Sequence, residues 1–89
     1  MKRDLAQMNV DLAIEVSRFI REHADIAKQI PRGAQLVIQR EGDEEFNQWS
    51  RRVAEKQRQE GQPVIYVIIR QVEPVRSRIA DARIEPAVA

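Results

Sequence analysis

The run Val64-Ile65-Tyr66-Val67-Ile68-Ile69 constrains the fold more than any other part of this chain. It is apolar throughout and β-branched everywhere except Tyr66. Such residues suit a pleated strand. Side chains alternate along a strand, so Val64, Tyr66 and Ile68 point to one face, and Ile65, Val67 and Ile69 to the other. Neither set is polar, and a strand of this kind asks for cover on both faces. Glu73-Pro74 ends it, because proline has no N–H to give a ladder. The rest of the chain has to supply the cover.

Two helices are available. Leu5, Met8, Leu12, Val16, Phe19 and Ile20 recur every three or four residues, widened by Ala13, Ile14 and Ala27, and predict a helix over about 5–22. Asp4 caps its start, with Gln7 three residues on. Asp25 then starts a short helical turn over about 25–30, carrying Ile26 and Ile30 and ended by Pro31-Arg32-Gly33. The second helix begins at Asp43. Asp43, Glu44 and Glu45 place negative charge in its cap and first turn. Phe46, Trp49 and Val53, with Ser50 and Ala54, form its inner stripe, and Trp49 is expected to be buried against the first helix. Arg51–Glu55 and Lys56–Glu60 are spaced as outer-face pairs. Gly61 suits the position after the last turn, and Pro63 stops the helix.

Residues 34–40 read as a second strand, with Leu36 and Ile38 on an apolar face and Gln35, Val37 and Gln39 on a mixed, partly exposed one. Glu41-Gly42 is a turn. The helix between the strands is long enough for a right-handed crossover joining a parallel pair. The expected class is therefore α+β: two layers in the order helix–strand–helix–strand, both helices on one face of a small parallel sheet. Residues 1–73 form the compact domain and 74–89 a basic C-terminal tail. Two helices cover only one face. Three bare side chains of the 64–69 strand represent roughly 1.5–3 kcal/mol each of unrealised burial. The sheet is completed either by oligomerisation or by the tail.

Composition narrows the chemistry. At 89 residues the chain makes one domain with a small core, and it has no cysteine and one histidine, so disulfides and metals are not expected to support it. A net charge of +1 is not the footprint of a general nucleic-acid binder. Asp4, Asn9, Asp11 and Glu15 interrupt any signal-peptide core after Met1-Lys2-Arg3, and no apolar run reaches membrane length. A cytoplasmic protein with no membrane contact is expected.

No chemical motif stands out. His23 lies near Glu15, Glu22 and Asp25, but the spacing matches no metal pattern, and a helix-end histidine is the simpler reading. The Glu41 and Asp43–Glu45 acids are explained by capping. Pro31-Arg32-Gly33 lacks the glycines and the Lys-Ser/Thr of a phosphate loop. Ser17, Ser50 and Ser77 have no positioned base. No catalytic residue, cofactor site or metal site is therefore assigned. Arg70 just ahead of the tail and Arg76, Arg78 and Arg83 within it are basic, and Val75, Ile79 and Ala82 have helical spacing, so a short helix, an added strand and disorder all remain open. No aromatic interleaves with these arginines, which gives base stacking little support.

The segments Ile30-Pro31-Arg32-Gly33-Ala34-Gln35-Leu36-Val37-Ile38, Glu45-Phe46-Asn47-Gln48-Trp49 and Gly61-Gln62-Pro63-Val64-Ile65-Tyr66-Val67 together resemble a family of short bacterial and archaeal proteins known as a domain of unknown function. The resemblance covers about residues 5–70 and implies a similar compact α/β fold. It carries no activity.

The expected function is a non-enzymatic protein-interaction module: a homodimer, or a small regulatory, antitoxin-like subunit of a larger assembly. Its partner-binding residues are Val64, Tyr66, Val67 and Ile68 in the strand and Arg76, Arg78, Ile79 and Arg83 in the tail. The alternative is a nucleic-acid-binding accessory protein using the arginine tail; less favoured is a small carboxylate-based enzyme.

Overall fold

The computed structural model describes residues 2–87. Helix α1 (Leu5–Glu22) opens with the Asp4 carboxylate accepting from the Gln7 N–H, and it buries Leu12 and Val16. Its last turn ends at His23, and the one-turn helix α2 (Ala24–Ala27) follows directly. Asp25 does not cap that turn. His23 occupies the cap position, without a side-chain bond, and Asp25 sits inside the first turn. Strand β1 (Gln35–Arg40), helix α3 (Glu44–Gln57) and strand β2 (Val64–Ile69) complete the order. β1 and β2 pair in parallel, Gln35 opposite Val64 through Arg40 opposite Ile69. This is the expected mixed α+β arrangement with a two-stranded sheet.

The core lies between α1, α3 and the sheet. Leu12, Val16, Ile38 and Phe46 are its buried centre, with Leu5, Met8, Ile20, Trp49, Val67 and Ile69 packed around them. Phe46 is fully buried. Trp49 is only half-buried, tilted against Phe46 with ring centroids 6.0 Å apart, because Phe46 has taken the central position.

Helix α3 lies differently from the simple expectation. It packs on β1 and runs along that strand's outer edge instead of spreading over both strands. Its start and end are tied there: the Asn47 amide brackets Arg40, and the Gln35 amide donates to the Ala54 carbonyl at 2.8 Å. The mixed face of β1 is therefore not the exposed one. Val37 is 3% exposed and Gln39 is also buried, while Leu36 on the apolar face is partly open.

The helix also ends earlier than Gly61 suggests. Arg58 is already extended, and Gly61, with φ 76°, makes a separate turn before β2. Lys56 and Glu60 thus do not share a helix. Arg51 turns away from Glu55 to Glu44, at 3.4 Å, and to the Gln39 side-chain oxygen, at 2.8 Å. No helix or strand forms between Arg70 and Ala87, so the helical spacing of Val75, Ile79 and Ala82 is not realised.

Candidate interaction surface

The two edges of the sheet are treated oppositely. In a parallel pair, N–H and C=O groups point alternately inward and outward. The N–H groups of Gln35 and Glu41 donate to the carbonyls of Pro63 and Ile69, which assigns odd-numbered residues of both strands to the shared ladder. Arg40 therefore faces outward from β1. There the Asn47 side chain closes the edge: Oδ1 accepts from the Arg40 N–H at 2.7 Å, and Nδ2 donates to the Arg40 carbonyl at 2.8 Å. The Gln39 amide reaches the Asn47 carbonyl at 3.4 Å and adds to the clamp.

β2 has no such guard. The same alternation turns the N–H and C=O groups of Val64, Tyr66 and Ile68 to its outer edge, and among the described residues no further strand lies beyond it. An open edge is a template for another strand. The side chains of these residues also lie on the face away from the α1 core, where Tyr66 is 53% and Ile68 62% exposed. Between this face and α3 runs a shallow groove of about 650 Å³, floored by Val37, Val64 and Tyr66 and walled by Arg51, Arg52 and Arg58. The Gln35 side-chain oxygen beside it is buried without a hydrogen-bond partner.

Of the residues expected to bind a partner, Val64, Tyr66 and Ile68 share this open face. Val67 does not: it faces the helices and packs on the core. The tail residues lie elsewhere. Every residue from Arg70 to Ala87 is exposed, including Val75 at 102%, Ile79 at 71% and Ile84. Arg76 pairs with Glu73 and Arg83 with Glu85. The tail thus does not cover the sheet of its own chain. Its effect on size is large: the radius of gyration is 18.2 Å, against about 12 Å for a compact chain of this length.

The acidic cluster has a structural role. The Asp43 carboxylate caps α3 by accepting from the Phe46 N–H at 3.2 Å. It also accepts from both terminal guanidinium nitrogens of Arg3, Nη2 at 2.6 Å and Nη1 at 3.1 Å, while Glu45 accepts from Nη1 at 2.8 Å. The Arg3 hydrogen bonds lower the Asp43 pKa to about 2, helped by the Phe46 N–H and the Arg40 charge and opposed by desolvation. Arg3 is correspondingly held in its charged form. His23 stacks on Phe19 with centroids 4.0 Å apart, and its Nδ1 lies 2.8 Å from the Phe19 carbonyl oxygen. Among the described residues no group of three or more His, Asp or Glu converges as a metal site would require. No described helix is long and apolar enough to cross a membrane.

Sequence reasoning missed Asn47, Gln39 and Arg3. Asn47 reads as an ordinary polar residue beside an apolar stripe. Gln35 and Gln39 do share one face of β1, and two glutamines at that spacing were the available signal. Arg3 and Asp43 are 40 residues apart, and nothing local pairs them.

The fold and surface define a small α+β domain: a parallel strand pair guarded by a helix at one edge and open at the other. The chain belongs to the Family of unknown function (DUF5647), whose model matches residues 4–82. No curated protein and no solved structure matches it. The family match runs past the end of β2 and takes in the exposed segment as far as Ala82.

Proposed function

We propose that this domain is a protein-interaction module, not an enzyme, and that it works as a homodimer joined through the open side of its sheet. The observation that supports this reading is the surface left uncovered. The accessible area is 8114 Å², whereas a compact monomer of this mass exposes about 5,400 Å². The surplus is several times the roughly 800 Å² that each partner gives to a standard interface. Much of it is apolar: Tyr66 and Ile68 on the sheet, Val72, Val75, Ile79 and Ile84 beyond it. Soluble monomers seldom keep large apolar patches, and an isolated two-stranded sheet is marginal. A second copy supplies apolar surface of matching kind, which a twofold interface uses twice.

Sedimentation velocity at micromolar concentration tests this. The expected result is a dimer; a stable, folded monomer overturns the reading.

The arginine tail supports a second reading, binding of nucleic acid. Arg76, Arg78 and Arg83 are exposed on an extended segment. Two of them are already paired with glutamates, which weakens the positive field. Affinity for a duplex that falls steeply with salt would favour this reading. Retention of the full affinity at high salt, or no binding at all, would count against it.

A further inference from the structure

The homodimer reading leaves open which segment fills the β2 edge. We propose that it is the tail of the second copy: Val75–Ala80 of each chain adds as an antiparallel strand to β2 of the other, a reciprocal strand exchange.

Four observations lead there. The edge offered is the backbone of Val64, Tyr66 and Ile68, while β1 is closed by Asn47. The tail has left its own chain, with every residue from Arg70 to Ala87 exposed and a long axis of 67 Å for the molecule. It does not return as a hairpin for a chemical reason. Gln71-Val72-Glu73-Pro74 contains no Gly, Asn or Asp, the residues that tight hairpin turns need, and Pro74 holds Glu73 extended. A chain that leaves β2 without a turn runs onward and meets a neighbour. Finally, the family match continues to Ala82, so the exposed segment belongs to the family's own domain and is not an appendage.

The side chains choose the register. Val75 to Ala80 is a proline-free run of six that matches the six residues of β2. Laid antiparallel along Val64–Ile69, it puts Val75 opposite Ile69, Ser77 opposite Val67 and Ile79 opposite Ile65, all on the helix side. Arg78 then lies beside Tyr66 and Arg76 beside Ile68 on the open face. On that side Val75 and Ile79 meet apolar partners, and Ser77, the smallest of the three, lies opposite Val67. On the other face the arginine stems lie over the exposed tyrosine and isoleucine, with Arg78 placed for a cation–π contact. A shift of one residue would drive both arginines to the helix side of the sheet, beside the core-facing Val67 and Ile69, so only registers of this parity are tolerated. Arg70–Pro74 serves as the crossing link, with Val72 on the twofold axis.

The chain lacks cysteine, so engineered thiols report cleanly. In the full-length V67C/S77C variant, oxidation should give an interchain disulfide that runs at dimer mass on a non-reducing gel. Val67 and Ser77 fall at a position where antiparallel side chains approach closely. The second test is V75D/I79D in the full chain. Both side chains are exposed within the chain, so its circular dichroism should be unchanged while the dimer dissociation constant rises at least 100-fold. An intrachain disulfide would mean that the tail folds onto its own β2, and it overturns the exchange. So does absence of a crosslink, or a V75D/I79D dimer as tight as the wild type, even if the wild type is dimeric; the homodimer reading would then stand on another interface. A monomeric wild type defeats both.

Discussion

The guarded edge of β1 makes a quantitative prediction for Asn47→Ala. Asn47 makes two hydrogen bonds to the backbone of Arg40, at 2.7 and 2.8 Å, in a half-buried site. Each contributes about 0.5–1.5 kcal/mol net, so losing both costs about 1–3 kcal/mol. Alanine is the better helix former, which returns about half a kcal/mol. The expected net loss is therefore about 0.5–2.5 kcal/mol. Asn47→Asp keeps the acceptor for the Arg40 N–H but removes the donor to its carbonyl, and should cost about half as much as losing both bonds. Urea unfolding followed by Trp49 fluorescence reads this as a lower midpoint with an unchanged slope, provided protein concentration is held fixed. Amide exchange supplies a local readout: the Arg40 N–H should lose protection, while the inward Gln39 N–H keeps it. Gln48→Ala, one residue along on the exposed side, is the control and should stay within about 0.5 kcal/mol. If Asn47→Ala behaves like that control and the Arg40 amide exchanges no faster, the side chain does not close the edge. The contrast between the two strand edges would then lose its basis.

Other expectations follow from the core and the caps. Phe46→Ala removes the one fully buried large side chain among the described residues and should cost about 3–5 kcal/mol, measured by chemical denaturation. Asp43→Ala removes the α3 cap and should cost about 1–2 kcal/mol by the same assay. Because the Asp43 pKa is lowered to about 2 in the fold and is about 3.9 in the unfolded chain, the sign is fixed. Its stabilisation is complete at neutral pH and is lost as pH falls from about 4 towards 2. Arg3→Ala should move the carboxyl titration, followed by NMR, back towards the ordinary range. Gly42 adopts φ 87° in open space, so Gly42→Ala should cost about 1–2 kcal/mol through the backbone alone. His23→Ala, at an exposed helix end, should change the midpoint by less than about 1 kcal/mol.

The sequence by itself determined the elements and their order. Periodicity, caps and breakers are local, so Asp4 and Asp43 marked the helix starts, and the β-branched run marked β2. The length of the connection permitted the parallel pairing that the structure shows, since a short turn cannot make one. Local signals were weaker where they competed: Gly61 and Pro63 suggested a longer α3, but the chain extends at Arg58 to enter the turn. Tertiary structure decided where α3 sits. The amides of Asn47, Gln35 and Gln39 draw it to the edge of β1, which buries Val37 and leaves Tyr66 and Ile68 bare. Hydrogen bonds between residues distant in sequence leave no periodic trace, and neither does the Arg3–Asp43 pair. The sequence thus determined that β2 has two faces in need of cover. Only the packing of α3 along β1 decided which face and which edge remain open.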